Sequence, residues 1–180
     1  MNKEKISVVI GLLLPVIFII FVAIFISVRT SSVQPQFSFI YAASSETSPQ
    51  KYGVVFENNY VVTNGKITLK PISRSKDILD NYDVRKAMDL YLYDMKTETN
   101  QKITIEEAQK YVVSDDNISP DGYRVSYEYG NGGIFEMFGG NGSNYGYFVT
   151  KVDSGAKKKL NVATGENYWN NEFNVIGWVK

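Results

Sequence analysis

The run Ile6–Val28, ISVVIGLLLPVIFIIFVAIFISV, carries no charged side chain. As a helix rising about 1.5 Å per residue it would reach about 35 Å, enough for a hydrocarbon core of about 30 Å. The sequence therefore predicts a transmembrane signal-anchor helix over Ile6–Val28. Residues 1–5 are then a cytoplasmic tail, 29–36 a linker and 37–180 one β domain. Lys3 and Lys5 precede the run against Glu4, Arg29 follows it, and the next charge is Glu46. The basic excess before the run predicts an amino terminus inside and an extracytoplasmic domain. That is a single-pass protein of the cytoplasmic membrane, with the lipid bilayer as its first partner. Two other readings fit less well. A cleaved signal peptide has an apolar region of about 7 to 15 residues, and the small residues Ala42-Ala43-Ser44 lie far beyond this one. A pilin-type helix carries an acid near the start of its apolar run, and Ile6–Val28 has none.

The rest of the chain has the composition of one folded domain, about 150 residues long. Over all 180 residues, 19 basic side chains balance 19 acidic ones. No single-sign field is available for a nucleic-acid partner. Lys157-Lys158-Lys159 is the only basic run and reads as a solvated hairpin face. The chain has neither cysteine nor histidine. Disulfides, thiolate nucleophiles, His-ligated metals and an imidazole general base are all excluded. Only carboxylates, Lys, Tyr, Ser and Thr remain for chemistry, so the expectation is a protein that is not an enzyme, with no catalytic residue, cofactor or metal site.

Strand patterns recur every 8 to 15 residues or so. They fall at Phe37–Ala42, Tyr52–Phe56, Tyr60–Thr63, Lys66–Ile72, Leu90–Tyr93, Gln101–Thr104, Tyr123–Tyr129, Tyr145–Lys151, Lys157–Val162 and Phe173–Val179. Asn64-Gly65 predicts a two-residue hairpin turn. Thr104 and Glu107 have capping-box spacing and predict a short helix over Ile105–Tyr111. Ser75–Met88 reads equally as a helical turn or a loop. Leu90–Thr104 and Tyr147–Asn161 align without a gap, each with an aromatic-rich strand, a turn, then a basic and an aliphatic residue. The expected fold class is mostly β: an N-terminal transmembrane helix plus one small antiparallel β domain of two blade-like sheets with a short helix.

Ser119-Pro120-Asp121-Gly122 before a Tyr- and Val-rich strand resembles the turn of the WD40-like (TolB-type) propeller repeat. Leu90–Thr97 with Lys102–Thr104 resembles the outer hairpin of such a blade. The resemblance covers Leu90–Val162, about one and a half blades. It implies blade-like sheets that present loops to partners. A closed ring needs about four blades. The overall layout also resembles single-pass anchored proteins of candidate-phylum bacteria, a group with no activity to carry over.

Several constellations invite a function. Asp115, Asn117, Ser119 and Asp121 alternate like calcium ligands, but the glycine and glutamate of an EF-hand loop are replaced by Pro120 and Ser126. A turn with Asx-type hydrogen bonds fits better. Glycine clusters at Gly130–Gly133 and Gly139–Gly142 lack the Lys-Ser/Thr of a phosphate loop. Between them, Phe135, Met137 and Phe138 form a candidate partner contact, since Met and Phe are enriched at interfaces. Asn58-Asn59-Tyr60, Tyr145 and Tyr168-Trp169-Asn170 combine flat rings with amides, which suits a glycan. Tyr145, Tyr168, Trp169 and Asn170 are the candidate glycan contacts. The adjacent acids Glu106-Glu107 read as a solvated helix face rather than a glycosidase pair. The function expected first is binding or scaffolding at the cell envelope, with an envelope protein or glycan as partner. A surface carbohydrate-binding module comes second and a His-free hydrolase third.

Overall fold

The structure, a computed structural model, describes residues 13–25, 33–44, 54–76, 80, 82–129, 145–163 and 173–180. The apolar run contributes helix α1 over residues 13–25. Its Leu14, Phe18 and Phe21 are 63%, 65% and 67% exposed. Among the described residues no helix is long and apolar enough to cross a membrane. The described residues of α1 cover about 20 Å, less than a hydrocarbon core of about 30 Å. This corrects the spanning helix predicted over Ile6–Val28, and with it the membrane, single-pass and signal-anchor assignments. Hydropathy scores the transfer of side chains into lipid. It does not set where backbone hydrogen bonding starts and stops, so a long apolar run and a long helix are separate facts. Residues 6–12 and 26–28 lie outside the described residues.

The remainder is mostly β. In chain order the strands are β1 (Phe39–Ala43), β2 (Val54–Phe56), β3 (Asn58–Thr63), β4 (Lys66–Pro71), β5 (Asp83–Arg85), β6 (Asp89–Asp94), β7 (Thr99–Ile103), β8 (Val113–Ser114), β9 (Tyr123–Tyr129), β10 (Tyr145–Lys151), β11 (Lys157–Lys159) and β12 (Phe173–Val179), with α2 (Ile105–Ala108) after β7. They form a five-stranded sheet in the order β7-β6-β1-β12-β8, a three-stranded sheet β11-β10-β9, and the pairs β2-β5 and β3-β4. The predicted pair of blade-like sheets is thereby corrected. Strands from opposite ends of the described chain share the central sheet, and residues 90–162 are divided between two sheets.

β1 organises the core. All five of its residues are buried, because it pairs antiparallel with β6 on one side and β12 on the other and is covered on both faces. A strand covered twice reads as a continuous apolar run rather than an alternating one, and FIYAA is such a run. Phe39, Tyr41 and Ala43 pack with Tyr91, Tyr93 and Trp178 beneath the β9–β11 sheet, which contributes Tyr123 and Val149. Ile40 and Ala42 pack the other way with Leu90, Ile103 and Ile176, beneath Ile67 of β4 and Ala108 of α2. The alternation in Leu90-Tyr-Leu-Tyr93 divides the same two faces.

One irregularity keeps β12 in step. The register with β1 shifts between Ile40 and Tyr41, so that Ile40 faces Gly177 and Tyr41 faces Val175. Ile176 is the extra residue of a β-bulge. The bulge sends Val175 and Trp178 to the same face, with Ile176 on the other. A Cβ on Gly177 would lie 2.0 Å from the Ser114 carbonyl oxygen and 2.5 Å from Val113 Cγ1. Glycine there admits the backbone of β8.

Two turns follow from local chemistry. Asn64 and Gly65 have φ of 51° and 73°, the left-handed pair that a type I′ hairpin needs. Thr104 Oγ1 accepts from Glu107 N at 3.2 Å while Glu107 Oε2 accepts from Thr104 N at 2.8 Å. That capping box opens α2 at the predicted residue. The two gap-free aligned segments are both hairpins in equivalent register: Leu90 faces Ile103 in one, and Leu160 N donates to the Tyr147 carbonyl in the other.

Candidate functional site

The Ser119–Gly122 turn positions the β9–β10 hairpin. Ser119 is buried, its Oγ accepts from Tyr123 N at 2.8 Å and donates to Asp121 Oδ1 at 2.5 Å. Gly122 closes the turn at φ +82°. Asp121 Oδ2 accepts from Gln36 N at 2.7 Å, and Lys151 Nζ donates to the Asp121 carbonyl at 3.0 Å while lying 4.6 Å from the centre of the Tyr123 ring. Two of the residues that suggested a calcium loop, Ser119 and Asp121, therefore bind the chain to itself. Among the described residues no group of three or more His, Cys, Asp or Glu is placed to hold a metal ion.

From this anchored hairpin a line of rings runs from core to surface. Tyr41 is fully buried and stacks on Tyr91 at 5.2 Å and on Phe173 at 4.9 Å. Its hydroxyl donates to Asn100 Oδ1 at 2.6 Å and accepts from Ala163 N at 2.8 Å. Burial pushes the Tyr41 and Tyr93 phenols above their ordinary range. Phe173 meets Tyr147 at 3.9 Å, and Tyr147 meets Tyr127 edge-on at 5.2 Å. Burial, then the neighbouring Tyr127, pushes the Tyr147 phenol up to about 12. The line ends at Tyr127 and Tyr145, stacked at 6.2 Å with 15° between planes and each 49% exposed. Period-two alternation in YRVSYEY and YGYFVTK puts Tyr127, Tyr145 and Tyr147 on the face that packs on the central sheet. Beyond that sheet the face becomes an open aromatic ledge.

Phe173 also lines a groove of about 410 Å³. Phe56, Ile72, Met88 and Phe173 give it an apolar lining, and Asn58, Asn59, Asn174 and Arg74 give it polar groups. A second groove of about 400 Å³, lined by Glu57 and Pro71, shares Asn58, Ile72 and Arg74 with it. Backbone bonding builds the wall: Glu57 N to the Arg85 carbonyl at 2.8 Å, Asn58 N to the Lys86 carbonyl at 3.0 Å, and Ile72 N to the Glu57 carbonyl at 2.8 Å. Arg74 Nε donates to the Phe56 carbonyl at 3.2 Å.

Of the predicted glycan contacts, Tyr145 lies on the ledge, while Tyr168, Trp169 and Asn170 lie outside the described residues, as do the predicted partner contacts Phe135, Met137 and Phe138. Asn58 and Asn59 line the groove. Sequence reasoning missed Tyr127, Tyr147, Phe173, Arg74 and Asn174. Alternation with Tyr145 was an available signal for the first two, and the others are joined only by tertiary structure. The acids elsewhere have structural tasks. Glu107 caps α2, and hydrogen bonds to its own backbone and to Thr104 hold the Glu106 carboxyl below its ordinary range. Lys157 pairs with Glu128 at 3.3 Å and Lys158 with Glu98 at 2.5 Å. No family model, curated protein or solved structure matches the chain.

Proposed function

We propose that this chain is a non-enzymatic binding module whose ligand is a saccharide held on the aromatic ledge. The observation that carries the reading is the exposed pair Tyr127 and Tyr145, nearly parallel and backed by Tyr147 and Phe173. Rings fixed by packing offer flat apolar faces at little entropic cost, and phenol tips offer hydrogen bonds. A sugar ring has the complementary pattern, apolar on its C–H face and polar around its edge.

A glycan array followed by isothermal titration tests this. Tyr127→Ala and Tyr145→Ala should each weaken binding by roughly fivefold, about 1 kcal/mol, with melting temperature unchanged. An array without signal, or affinity indifferent to both substitutions, refutes the ledge as a sugar site.

A further inference from the structure

We infer that the joint between the strand pairs β2-β5 and β3-β4 binds a free α-amino acid with an apolar side chain, its carboxylate taken by Arg74 and its ammonium by Glu57. This site is separate from the saccharide reading and does not rest on it: none of Tyr127, Tyr145 and Tyr147 lines either groove. The joint is held by backbone. Glu57 N donates to the Arg85 carbonyl, Asn58 N to the Lys86 carbonyl and Ile72 N to the Glu57 carbonyl, and Asn58 faces Pro71 in the β3–β4 register. Glu57, Asn58, Ile72 and Arg74 are thereby brought around one space of about 400 Å³. That lies within the size range of small-molecule sites, roughly 300–1,000 Å³.

The charges decide the class of ligand. Arg74 and Glu57 line the same groove, yet among the described residues neither forms an ion pair, with the other or with a third group. The groove therefore carries opposite potentials that no internal pair cancels. A simple anion drawn to Arg74 meets Glu57 as a like charge, and a simple cation drawn to Glu57 meets Arg74. A ligand bearing both charges on one carbon satisfies the two together. Arg74 is half-buried and its Nε is committed to the Phe56 carbonyl at 3.2 Å. That bond orients the guanidinium and leaves its terminal nitrogens for the two-pronged contact that a carboxylate matches. Asn58 Nδ2 donates to the Lys86 carbonyl at 3.0 Å, and its side-chain oxygen remains to accept from an ammonium beside Glu57. The ligand's side chain has its own place. Asn58, Ile72 and Arg74 also line the groove of about 410 Å³, where Phe56, Ile72 and Met88 supply apolar contact.

The test titrates leucine into the full chain beside isocaproate, which lacks the ammonium, and isoamylamine, which lacks the carboxylate. Leucine should bind about tenfold more tightly than either, the difference made by one charge-assisted hydrogen-bonded pair. Arg74→Gln should erase the preference for leucine over isoamylamine and keep that over isocaproate. Glu57→Gln should do the reverse. Glu57 is exposed, so its substitution leaves packing intact and its result stands whatever Arg74→Gln does to folding. Tyr127→Ala should leave leucine affinity unchanged, which reads this site separately from the ledge. No binding of leucine at millimolar concentration, equal binding of the three ligands, or a preference over isocaproate that survives Glu57→Gln overturns the inference and leaves the saccharide reading standing.

Discussion

The two faces of the central sheet are built from different materials. One is aliphatic: Ile40, Ala42, Ile67, Leu90, Ile103, Val113 and Ile176 close around it. The other is aromatic: Phe39, Tyr41, Tyr91, Tyr93, Tyr123 and Trp178. Aliphatic side chains ask nothing of their surroundings but contact, so that face seals under a hairpin and one helical turn. Phenols need partners for their hydroxyls. Tyr41 finds Asn100 and Ala163. Such partners stand at half-buried positions, and the aromatic face runs out to solvent at Tyr127 and Tyr145. The comparison separates two duties. The sealed face supplies stability, and the open-ended face supplies stability at its centre and recognition at its rim.

The largest expected effect tests whether the aromatic centre is as structural as the aliphatic one. Trp178→Ala should destabilise by about 4 kcal/mol and Ile67→Ala by about 3, read by denaturant melts. Among the described residues Trp178 Nε1 is buried without a partner, so Trp178→Phe, which removes that donor, should lose only about half as much. Equal losses for the two Trp178 variants would break the argument that the orphan is costly.

Next comes Gly177→Ala, at about 3 kcal/mol. Its Cβ would meet backbone of β8, which cannot turn aside as a side chain can. An unchanged melt would mean that β8 does not run against Gly177 as closely as described. Gly122→Val should follow at about 1–2 kcal/mol. A Cβ there meets nothing within 4 Å, so this substitution isolates backbone strain from collision. Indifference would remove the turn as the anchor of β9.

The gentlest perturbation is alkali, and it acts mainly on the aromatic face, since of the phenols raised by burial only Tyr60, among the described residues, packs against the aliphatic one. Tyr41, Tyr93 and Tyr147 have folded pKa values raised above 10.0 by burial, Tyr147 to about 12. Their unfolded forms lose protons first, so stability is complete below about pH 10 and falls as pH rises through the folded values. A melting temperature followed from pH 8 to pH 12 should decline above about 10, and Tyr147→Phe should reduce the decline. A flat profile would detach the phenols from the stability of the aromatic face.

Much of this was legible in the chain, and the rest was not for definite reasons. YRVSYEY, YGYFVTK and FNVIGWV form strands with the predicted limits because β-branched and aromatic residues dominate them. Asn64-Gly65 and the Thr104–Glu107 box act within a few residues, and so could be read locally. β5 and β8 have three and two residues, too few for any period to show. The pairing of β1 with β12 joins segments far apart in sequence, and no local pattern encodes it. The same limit applies to the site. Tyr145, Asn58 and Asn59 carry their chemistry in type and neighbours, whereas Arg74 and Phe173 become neighbours of a groove only after folding. The spanning reading of the apolar run rested on hydropathy alone, and among the described residues no helix is long and apolar enough to bear it out.

The position of β1 has a consequence for how the molecule is made. It is placed early in the chain, yet one of its two partners is β12, which is synthesised long after. Contacts so separated in sequence close slowly, because loop entropy is lost before they form. Until β12 arrives, β1 presents an unpaired apolar edge, a template for pairing with another chain. β12 is therefore both added long after β1 and the strand that shields the nascent sheet from its own copies.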